Sequence, residues 1–420
     1  MNNKSINNFF SALFGSSSTA VINFITIPFL LHGLGVENYG KLSIILTTLL
    51  VVNIVLSFQP WQALIKFWFS HPQEQKELLS LTLFLDVVSC CFCFFISFIV
   101  LSSDFFAKNF FDLDTNISLM FSISLLFNPF SFFIGISRLN DKFLFISFCE
   151  FLRALIRLIG AFIVVSHGDL FIYSIFYMLS NLLVILLCFF VENSYVRKAL
   201  VGITKLRKDS WNTIMEFISF SIFVTLKSIV DLPVQHLDKF LVSSFIGNNS
   251  VAIYDVAKRI NQGFGVFINV FNQVYYPIIV RYISQGFFIK TRNEITKKSL
   301  KVFLLTLFIS AFSFPFKDYI FILYRNIFSL DHAAFSFSYW YSLIFLLSSC
   351  FILLHVLFQS AGFVKKDVIF LLFSNLTYLY ICFLGLKHYG LSIILFAYLI
   401  QVVMVLIFKL FILYKPQFKF

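Results

Sequence analysis

The chain has 420 residues, of which 59% are hydrophobic and only 12% are charged. A typical soluble domain carries about 25% charged residues, so this composition excludes one and predicts an integral membrane protein. The formal net charge of +12 does not indicate nucleic-acid binding, because no stretch between the apolar segments is long enough to form a separate binding domain.

Twelve apolar runs follow one another along the sequence. Most of them reach the roughly 20 residues that a helix requires to cross a hydrocarbon core of about 30 Å. A membrane β-barrel is excluded, because its strands are only about ten residues long and alternate apolar with polar side chains. We therefore predict an all-α integral membrane protein with twelve transmembrane helices, at residues 9–32, 40–59, 79–101, 117–137, 143–166, 170–191, 217–246, 252–280, 301–324, 338–362, 367–386 and 390–414.

Lysine and arginine are unevenly distributed between the loops on the two sides of the membrane. If the N-terminus is cytoplasmic and each run crosses once, the loops on the opposite side hold only Lys41, Lys108, Lys317, Arg325 and Lys387. Cytoplasmic loops are enriched in basic residues, so both termini are predicted to be cytoplasmic. Further cations lie within the runs, namely Arg153, Arg157, Lys227, Lys239, Lys258 and Arg259.

A long basic connection divides the runs six and six. It predicts an N-terminal six-helix bundle at 1–192, a cytoplasmic linker at 193–215 and a C-terminal six-helix bundle at 216–420. Six crossings return the chain to its starting side, so duplicated halves would be related by a pseudo-two-fold axis along the membrane normal. Two matching segments support a duplication. Gly35–Leu42 follows the first apolar run of the first half, and Gly247–Tyr254 follows the first apolar run of the second half. Both have small residues at corresponding positions, which are 35 and 40 in the first and 247 and 252 in the second.

No motif indicates covalent catalysis, a metal or a cofactor. The seven cysteines lie in apolar runs without metal-binding or redox spacing. The sequence contains neither a phosphate-binding glycine loop nor a G-x-S-x-G turn. We therefore predict that the protein is not an enzyme and binds no metal or cofactor.

The fifth run contains charges that lie too deep to reach the membrane surface. Glu150, Arg153 and Arg157 follow each other at i, i+3 and i+7 and share one helix face. At 1.5 Å per residue, the two arginines lie about 15 and about 20 Å along a helix that begins at Phe143. Such cations usually face a wet cavity or a partner. Either both arginines bind an anion in a central cavity, with Glu150 as counter-ion, or they form an ion-pair lock between helices.

The seventh run is interrupted by Pro233 and carries several charges. Proline removes a helical hydrogen bond, and interrupted polar helices in transporters indicate binding sites. Lys227 either faces the cavity or pairs with Asp231 at i, i+4. Asp238 is a candidate for ion coupling, or it holds Lys239 or another helix.

The remaining interior charges are also open to two interpretations. Lys258 and Arg259 in the eighth run either bind substrate or extend to the membrane surface. Asp86 in the third run is either a coupling carboxylate for H⁺ or Na⁺ or a partner of Arg153 or Arg157. In addition, Pro28, Pro129 and Pro233 are candidates for bends that permit movement, with static kinks as the alternative.

Two motifs resemble those of a known family. The turn Leu34–Gly40 resembles the LG-x-E-x-[YF]-G turn of polysaccharide transporters in the multidrug/oligosaccharidyl-lipid/polysaccharide exporter superfamily. Asp238–Leu241, followed by Gly247, Tyr254 and Ala257, resembles the family's D-[KR]-x-L-I…LG…G-x-Y-x-x-A signature across helices seven and eight. Within this superfamily the chain is most similar to the Wzx-type O-antigen flippases.

Further positions agree with the resemblance, and two depart from it. Pro277 resembles a common proline of helix eight, and Gly362 with Lys365 and Lys366 resembles a G-x-x-x-K after helix ten. Ala252 replaces the usual glycine, and Asp255 stands where the family has a small or polar residue.

The resemblance implies a transport function in the bacterial inner membrane. The expected substrate is undecaprenyl pyrophosphate carrying one glycan repeat unit, moved from the cytoplasmic to the periplasmic leaflet by alternating access, with H⁺ or Na⁺ as counter-ion. Membrane lipids and the polysaccharide polymerase machinery are the expected partners. The residues expected to contact the pyrophosphate are Arg153, Arg157, Lys227, Lys258 and Arg259, and the candidates for ion coupling or charge pairing are Asp86, Glu150, Asp231 and Asp238.

Two other functions are compatible with twelve membrane helices. A multidrug or cation antiporter of the same superfamily would favour carboxylates in its cavity, whereas cations predominate in these runs. A membrane enzyme of O-antigen polymerisation or ligation would be expected to carry a large periplasmic loop, and the longest candidate, residues 317–337, is short.

Overall fold

A computed structural model describes residues 3–110, 113–128, 130–203 and 211–415. The chain forms two compact units, Met1–Ile229 and Val230–Phe420. Both consist of helices joined by short turns, so the predicted all-α architecture is confirmed. The predicted domain limits of 1–192, 193–215 and 216–420 stay a prediction.

The N-terminal unit begins with one long helix and continues with shorter ones. Its helices are α1 (Asn3–Leu56), α2 (Pro60–Trp68), α3 (Gln75–Leu101), α4 (Asp104–Asn109), α5 (Thr115–Leu126), α6 (Phe130–Leu139), α7 (Phe143–His167), α8 (Leu170–Val191), α9 (Asn193–Ile203) and the greater part of α10 (Trp211–Leu232). Its core lies around α2, α3 and α6, where Leu64, Leu79 and Phe132 are buried.

The C-terminal unit begins with the end of α10 and a π-helical turn, Pro233–Leu237. The helices that follow are α11 (Asp238–Ile246), α12 (Asn248–Ser284), α13 (Phe288–Ser313), α14 (Lys317–Phe328), α15 (His332–Ser349), α16 (Ile352–Ser360), α17 (Val364–Tyr389) and α18 (Ser392–Tyr414). Its own core contains Ile295, Leu357 and Phe363.

These helices account for twelve membrane crossings. Within the described ranges, eight helical spans are long and apolar enough to cross a membrane, or nine if the bent pair α15 and α16 is one span. That criterion treats α1 as a single span although Gly35 interrupts it. It also omits α7 and α12, which carry charged and amide side chains. The structure therefore has the predicted twelve-helix, two-lobe architecture.

The backbone of the two halves repeats at corresponding turns. Gly35 has φ 77° and ψ 166°, and Gly247, at the matching turn of the second half, has φ 102° and ψ 173°. Only glycine adopts this region readily. After the fifth helix of each half, Gly168 and Gly390 also have positive φ, but their ψ angles of 16° and −150° differ. The turns at Gly35 and Gly247 give the internal sequence match a structural basis.

Two segments predicted as loops are helical. The first part of the predicted linker forms α9, whose Val196 and Ala199 are buried, and the Ser80 hydroxyl on α3 donates to the Ala199 carbonyl at 2.5 Å. Residues 204–210 lie outside the described part. The candidate loop at 317–337 folds as α14 and the start of α15. Both errors arise because short amphipathic helices resemble loops when only long apolar runs are scored.

The spans are interrupted at places that only partly match the predicted prolines. Pro28 lies inside α1, and the interruption falls at Gly35 instead. Pro129 lies outside the described residues. Pro233 begins the π-helical turn between α10 and α11, as expected from its missing N–H group. A role for any of these prolines in movement stays a prediction.

The turn at Gly247 provides a test of the repeated backbone. Replacing Gly247 with Ala forces a Cβ into a conformation that only glycine tolerates, and we expect a loss of about 1–3 kcal/mol in stability. Thermal unfolding in detergent measures the change. Gly263→Ala is the matched control, because Gly263 lies in helical backbone with open space where the added Cβ would stand. Equal unfolding temperatures for the two variants would contradict the assignment.

Candidate functional site

Three residues of α8 contact the guanidinium group of Arg157, which lies on α7. Its Nε donates to the Ser180 hydroxyl at 3.1 Å, and its Nη2 donates to the Asn181 Oδ1 at 3.0 Å. The guanidinium lies 4.0 Å from the centre of the Tyr177 ring. A cation over an aromatic face is attracted by the ring quadrupole. The side chain is therefore fixed in position, and no described residue holds its third nitrogen, Nη1.

Arg153 lies one turn earlier on the same helix. Its Nη1 is 3.4 Å from the Glu150 Oε1, which makes Glu150 the partner that the spacing predicts. The Arg153 side chain is largely buried, whereas Glu150 is more accessible. Arg153 and Arg157 thus place two guanidinium groups along one face of α7, with one nearby carboxylate.

Asp86 occupies a position that the sequence does not reveal. This buried carboxylate on α3 accepts a hydrogen bond from the backbone N–H of Phe132, in the first turn of α6, at 2.5 Å. Free N–H groups at a helix start favour a negative charge. Within the described residues, Asp86 forms no ion pair with Arg153 or Arg157. Its role in ion coupling stays a prediction.

Asp238 lies at the centre of a buried cluster in the C-terminal unit. The Lys258 Nζ on α12 is 2.8 Å from its Oδ1 and 2.7 Å from its Oδ2. The Tyr378 hydroxyl on α17 donates to Oδ2 at 3.0 Å, and the Tyr254 hydroxyl on α12 also donates to this oxygen. Asp238 thus joins α11, α12 and α17.

Lys258 is fully engaged inside the protein. Besides Asp238, it donates to the backbone carbonyls of Val234 and Gln235 in the π-helical turn, at 3.0 Å each. An ammonium group has three donors, and these acceptors use all of them. The alternative that Lys258 extends to the membrane surface is wrong, because the residue is only 9% exposed. A substrate role for Lys258 stays a prediction, and it would require breaking these contacts.

A second buried carboxylate, Asp255, extends this cluster. It accepts from the Lys239 Nζ at 2.5 Å and from the Arg259 Nε at 2.6 Å. One interpretation of the sequence paired Asp238 with Lys239. In the structure Lys239 pairs with Asp255, and Asp238 pairs with Lys258. In the sequence, Asp255 stands out only as a departure from the family motif. Its i, i+4 spacing to Arg259 was the available signal for this pair.

A third buried group involves Lys409, which lies in the twelfth apolar run but was not among the candidate residues. The Lys409 Nζ on α18 lies 3.1 Å from the Asp367 Oδ1 on α17, and both residues are buried. Lys409 also contacts the Nδ1 of His355 on α16. Lys409 lies inside α18, which continues to Tyr414 and agrees with the predicted twelfth run.

A cavity of about 430 Å³, with mainly apolar walls, lies within the C-terminal unit next to Lys409. Phe345, Phe351 and Tyr398 contribute aromatic walls. The polar side chains that line the cavity are Asp231, Gln235, Ser348, His355, Asn375, Gln401 and Lys409. Concave sites of this size with a few converging polar groups are typical of ligand sites. In contrast, Lys227 lies in the N-terminal unit with an exposed side chain.

The family assignment follows from the sequence as a whole. The profile of the polysaccharide biosynthesis protein family matches residues 5–283. That match covers more than half of the chain. The chain belongs to the polysaccharide biosynthesis protein family. No curated protein sequence matches this family member.

Solved structures show the fold that this polysaccharide biosynthesis protein adopts. It is similar to an inward-facing multidrug resistance MATE family transporter of the MOP superfamily, with 13% identity, a TM-score of 0.74 and coverage of 94% of both chains. It is also similar to the lipid II flippase MurJ in an inward closed conformation, with 14% identity, a TM-score of 0.68 and coverage of 98% of this chain and 87% of that chain. At these identities, the likeness shows the fold alone.

The contribution of the Asp238 cluster to the stability of the protein can be tested by mutation. Asp238→Ala leaves the Lys258 ammonium buried without its carboxylate, and we expect a loss of about 3–5 kcal/mol. The double variant Asp238→Leu/Lys258→Met removes both charges and should regain most of that loss. Thermal unfolding in detergent compares them. Glu37→Ala is the control, because the exposed pair with Lys41 at 3.1 Å contributes only about 0–1 kcal/mol. A double variant as unstable as the single one would contradict the pairing.

Proposed function

We propose that this protein is a flippase for lipid-linked polysaccharide repeat units. The substrate is an undecaprenyl-pyrophosphate-linked O-antigen or related repeat unit, turned from the cytoplasmic to the periplasmic leaflet of the bacterial inner membrane by alternating access. The protein acts as a transporter and not as an enzyme. The uneven distribution of Lys and Arg supports cytoplasmic positions for both termini.

The guanidinium of Arg157 is the observation that carries this proposal. A pyrophosphate cannot enter hydrocarbon without replacing its hydration, and arginine offers two parallel N–H donors to phosphate oxygens. Tyr177, Ser180 and Asn181 hold Arg157 in one orientation. Such a fixed donor loses little conformational freedom when it binds an anion. Arg153 on the same face adds a second positive charge.

The same observations argue against a cation antiporter. An organic cation requires accessible carboxylates, but Asp86 is engaged with the first turn of α6 and Glu150 lies beside Arg153. The N-terminal unit thus presents guanidinium groups on α7 where an antiporter would present acids. A membrane polymerase or ligase is disfavoured because residues 317–337 form helices and not an extended loop.

Substitution of Arg157 tests the proposed substrate. Arg157→Ala should weaken binding of undecaprenyl pyrophosphate in lipid nanodiscs by about 1.5–3 kcal/mol, the usual contribution of hydrogen bonds to a charged group. That loss corresponds to roughly 10- to 100-fold in affinity. Arg157→Lys should lose part of it, because lysine cannot bind in the bidentate manner.

Arg325→Ala is the matched control, since Arg325 is exposed on α14. Binding is measured by native mass spectrometry, and flipping by accessibility of a labelled lipid-linked oligosaccharide in proteoliposomes. The function is refuted if Arg157→Ala binds and flips as the wild type does at equal protein level.

The C-terminal cavity is our proposed site of ion coupling. Asp231 and Lys409 line it, and Lys409 is bonded to the carboxylate of Asp367. Carboxylates within membrane spans often mark ion pathways. We infer that the Asp231 carboxylate binds the coupling H⁺ or Na⁺ from this cavity.

Asp231→Asn tests the coupling site, because it removes one charge with little change in size. Flipping in proteoliposomes should then become independent of both proton and sodium gradients, while lipid pyrophosphate binding at Arg157 persists. Asp86→Asn is the control and should retain the gradient dependence. If Asp231→Asn keeps it and Asp86→Asn loses it, Asp86 and not Asp231 is the coupling carboxylate.

A further inference from the structure

The span formed by α5 and α6 is interrupted deep in the membrane. Its first helix has 12 residues, or about 18 Å at 1.5 Å per residue, which exceeds half of a core of about 30 Å. The backbone groups freed by such an interruption have no water to bind, so other parts of the protein must supply partners.

Two side chains provide these partners, one on each side of the interruption. On the α6 side, the Asp86 carboxylate accepts the N–H of Phe132. On the α5 side, the Asn181 Nδ2 donates to the carbonyl of Ser124 at 3.0 Å. Both Asp86 and Asn181 are buried. The backbone on the two sides of the interruption is therefore bonded to α3 and to α8.

Asn181 has a second contact, which connects the interruption to Arg157. Its Oδ1 accepts from the Arg157 Nη2 at 3.0 Å, while its Nδ2 is the donor to Ser124. An amide is planar, with one acceptor end and one donor end. A movement of Arg157 that shifts this plane must therefore shift the bond to α5 as well.

The contacts also determine which edge of Arg157 a ligand can reach. Ser180 and Asn181 occupy Nε and Nη2, which form the side-on edge of the guanidinium. The opposite edge, formed by Nη1 and the second hydrogen of Nη2, remains for bidentate contact with two phosphate oxygens. A ligand on that edge bonds to Nη2, the same nitrogen that donates to Asn181. Its binding can therefore displace the bond between Arg157 and Asn181.

We propose that Asn181 is a positioning residue that links anion binding at Arg157 to the interruption of the α5–α6 span. A pyrophosphate on the free edge pulls on Nη2, and the Asn181 amide transmits the displacement to the last turn of α5. This inference rests on the proposed function of Arg157. It makes the interruption between α5 and α6 the first part of the fold to respond to the substrate.

Three variants distinguish two roles of Asn181, namely transmitting ligand binding to α5 and only orienting the Arg157 side chain. Asn181→Asp retains an acceptor for Arg157 but has no N–H for the Ser124 carbonyl. Asn181→Leu has a similar size and loses both contacts. Ser180→Ala removes one acceptor from Arg157 and leaves the link to α5 in place, so it is the matched control.

The measurement is hydrogen exchange of peptides covering residues 115–139, in nanodiscs with and without saturating undecaprenyl pyrophosphate. The ligand should change exchange in the last turn of α5 in the wild type and in Ser180→Ala, although Ser180→Ala binds roughly 3- to 10-fold more weakly. Both Asn181 variants should bind the ligand and show no change. If Asn181→Leu does not fold, Asn181→Asp decides the outcome.

Two results separate the failure of this inference from the failure of the proposed function. If Asn181→Asp shows the same exchange response as the wild type, or Ser180→Ala loses it equally, the link is refuted while Arg157 remains the anion site. If Arg157→Ala binds the lipid pyrophosphate as well as the wild type does, the proposed anion site itself fails.

Discussion

Polar groups inside a bilayer must find partners within the protein, because lipid supplies none. This constraint explains the positions of most charges in the interior. Lys258 donates to the carbonyls of the π-helical turn at Pro233, Asp86 accepts an N–H at the start of α6, and Asn181 donates to a carbonyl at the end of α5. Each of these interruptions is thus closed by a polar side chain from a neighbouring helix.

The constraint also separates charges that stabilise the fold from charges that can act on a ligand. Asp238 and Asp255 neutralise cations on α11 and α12 and hold them in buried pairs. Arg157 differs, since α8 occupies only one edge of its guanidinium. The duplicated halves have diverged accordingly. When Gly168 is matched with Gly390, Asn375 takes the place of Arg153, and it lines the cavity of the C-terminal unit.

Long apolar runs and turn glycines were sufficient to predict the fold. The spans, the tight turns at Gly35 and Gly247, and the start of α7 at Phe143 all follow from local sequence. Charge partners did not follow, because pairs such as Asp367 and Lys409 depend on how separate helices pack against each other. Even within a motif, Asp238 bonds Lys258 instead of its neighbour Lys239. The order of residues along a helix determines which face of that helix a side chain lies on. It does not determine which other helix packs against that face.

These differences in pairing indicate which helices can move independently. Breaking the Asp238 cluster would strand several charges in a medium of low dielectric, which is expensive. That cluster therefore favours α11, α12 and α17 moving together. Arg157 can instead exchange part of its contacts for a phosphate oxygen without leaving its charge unpaired. The interruption beside it, held by single hydrogen bonds from Asp86 and Asn181, is consequently the place where ligand binding changes the fold at the lowest cost.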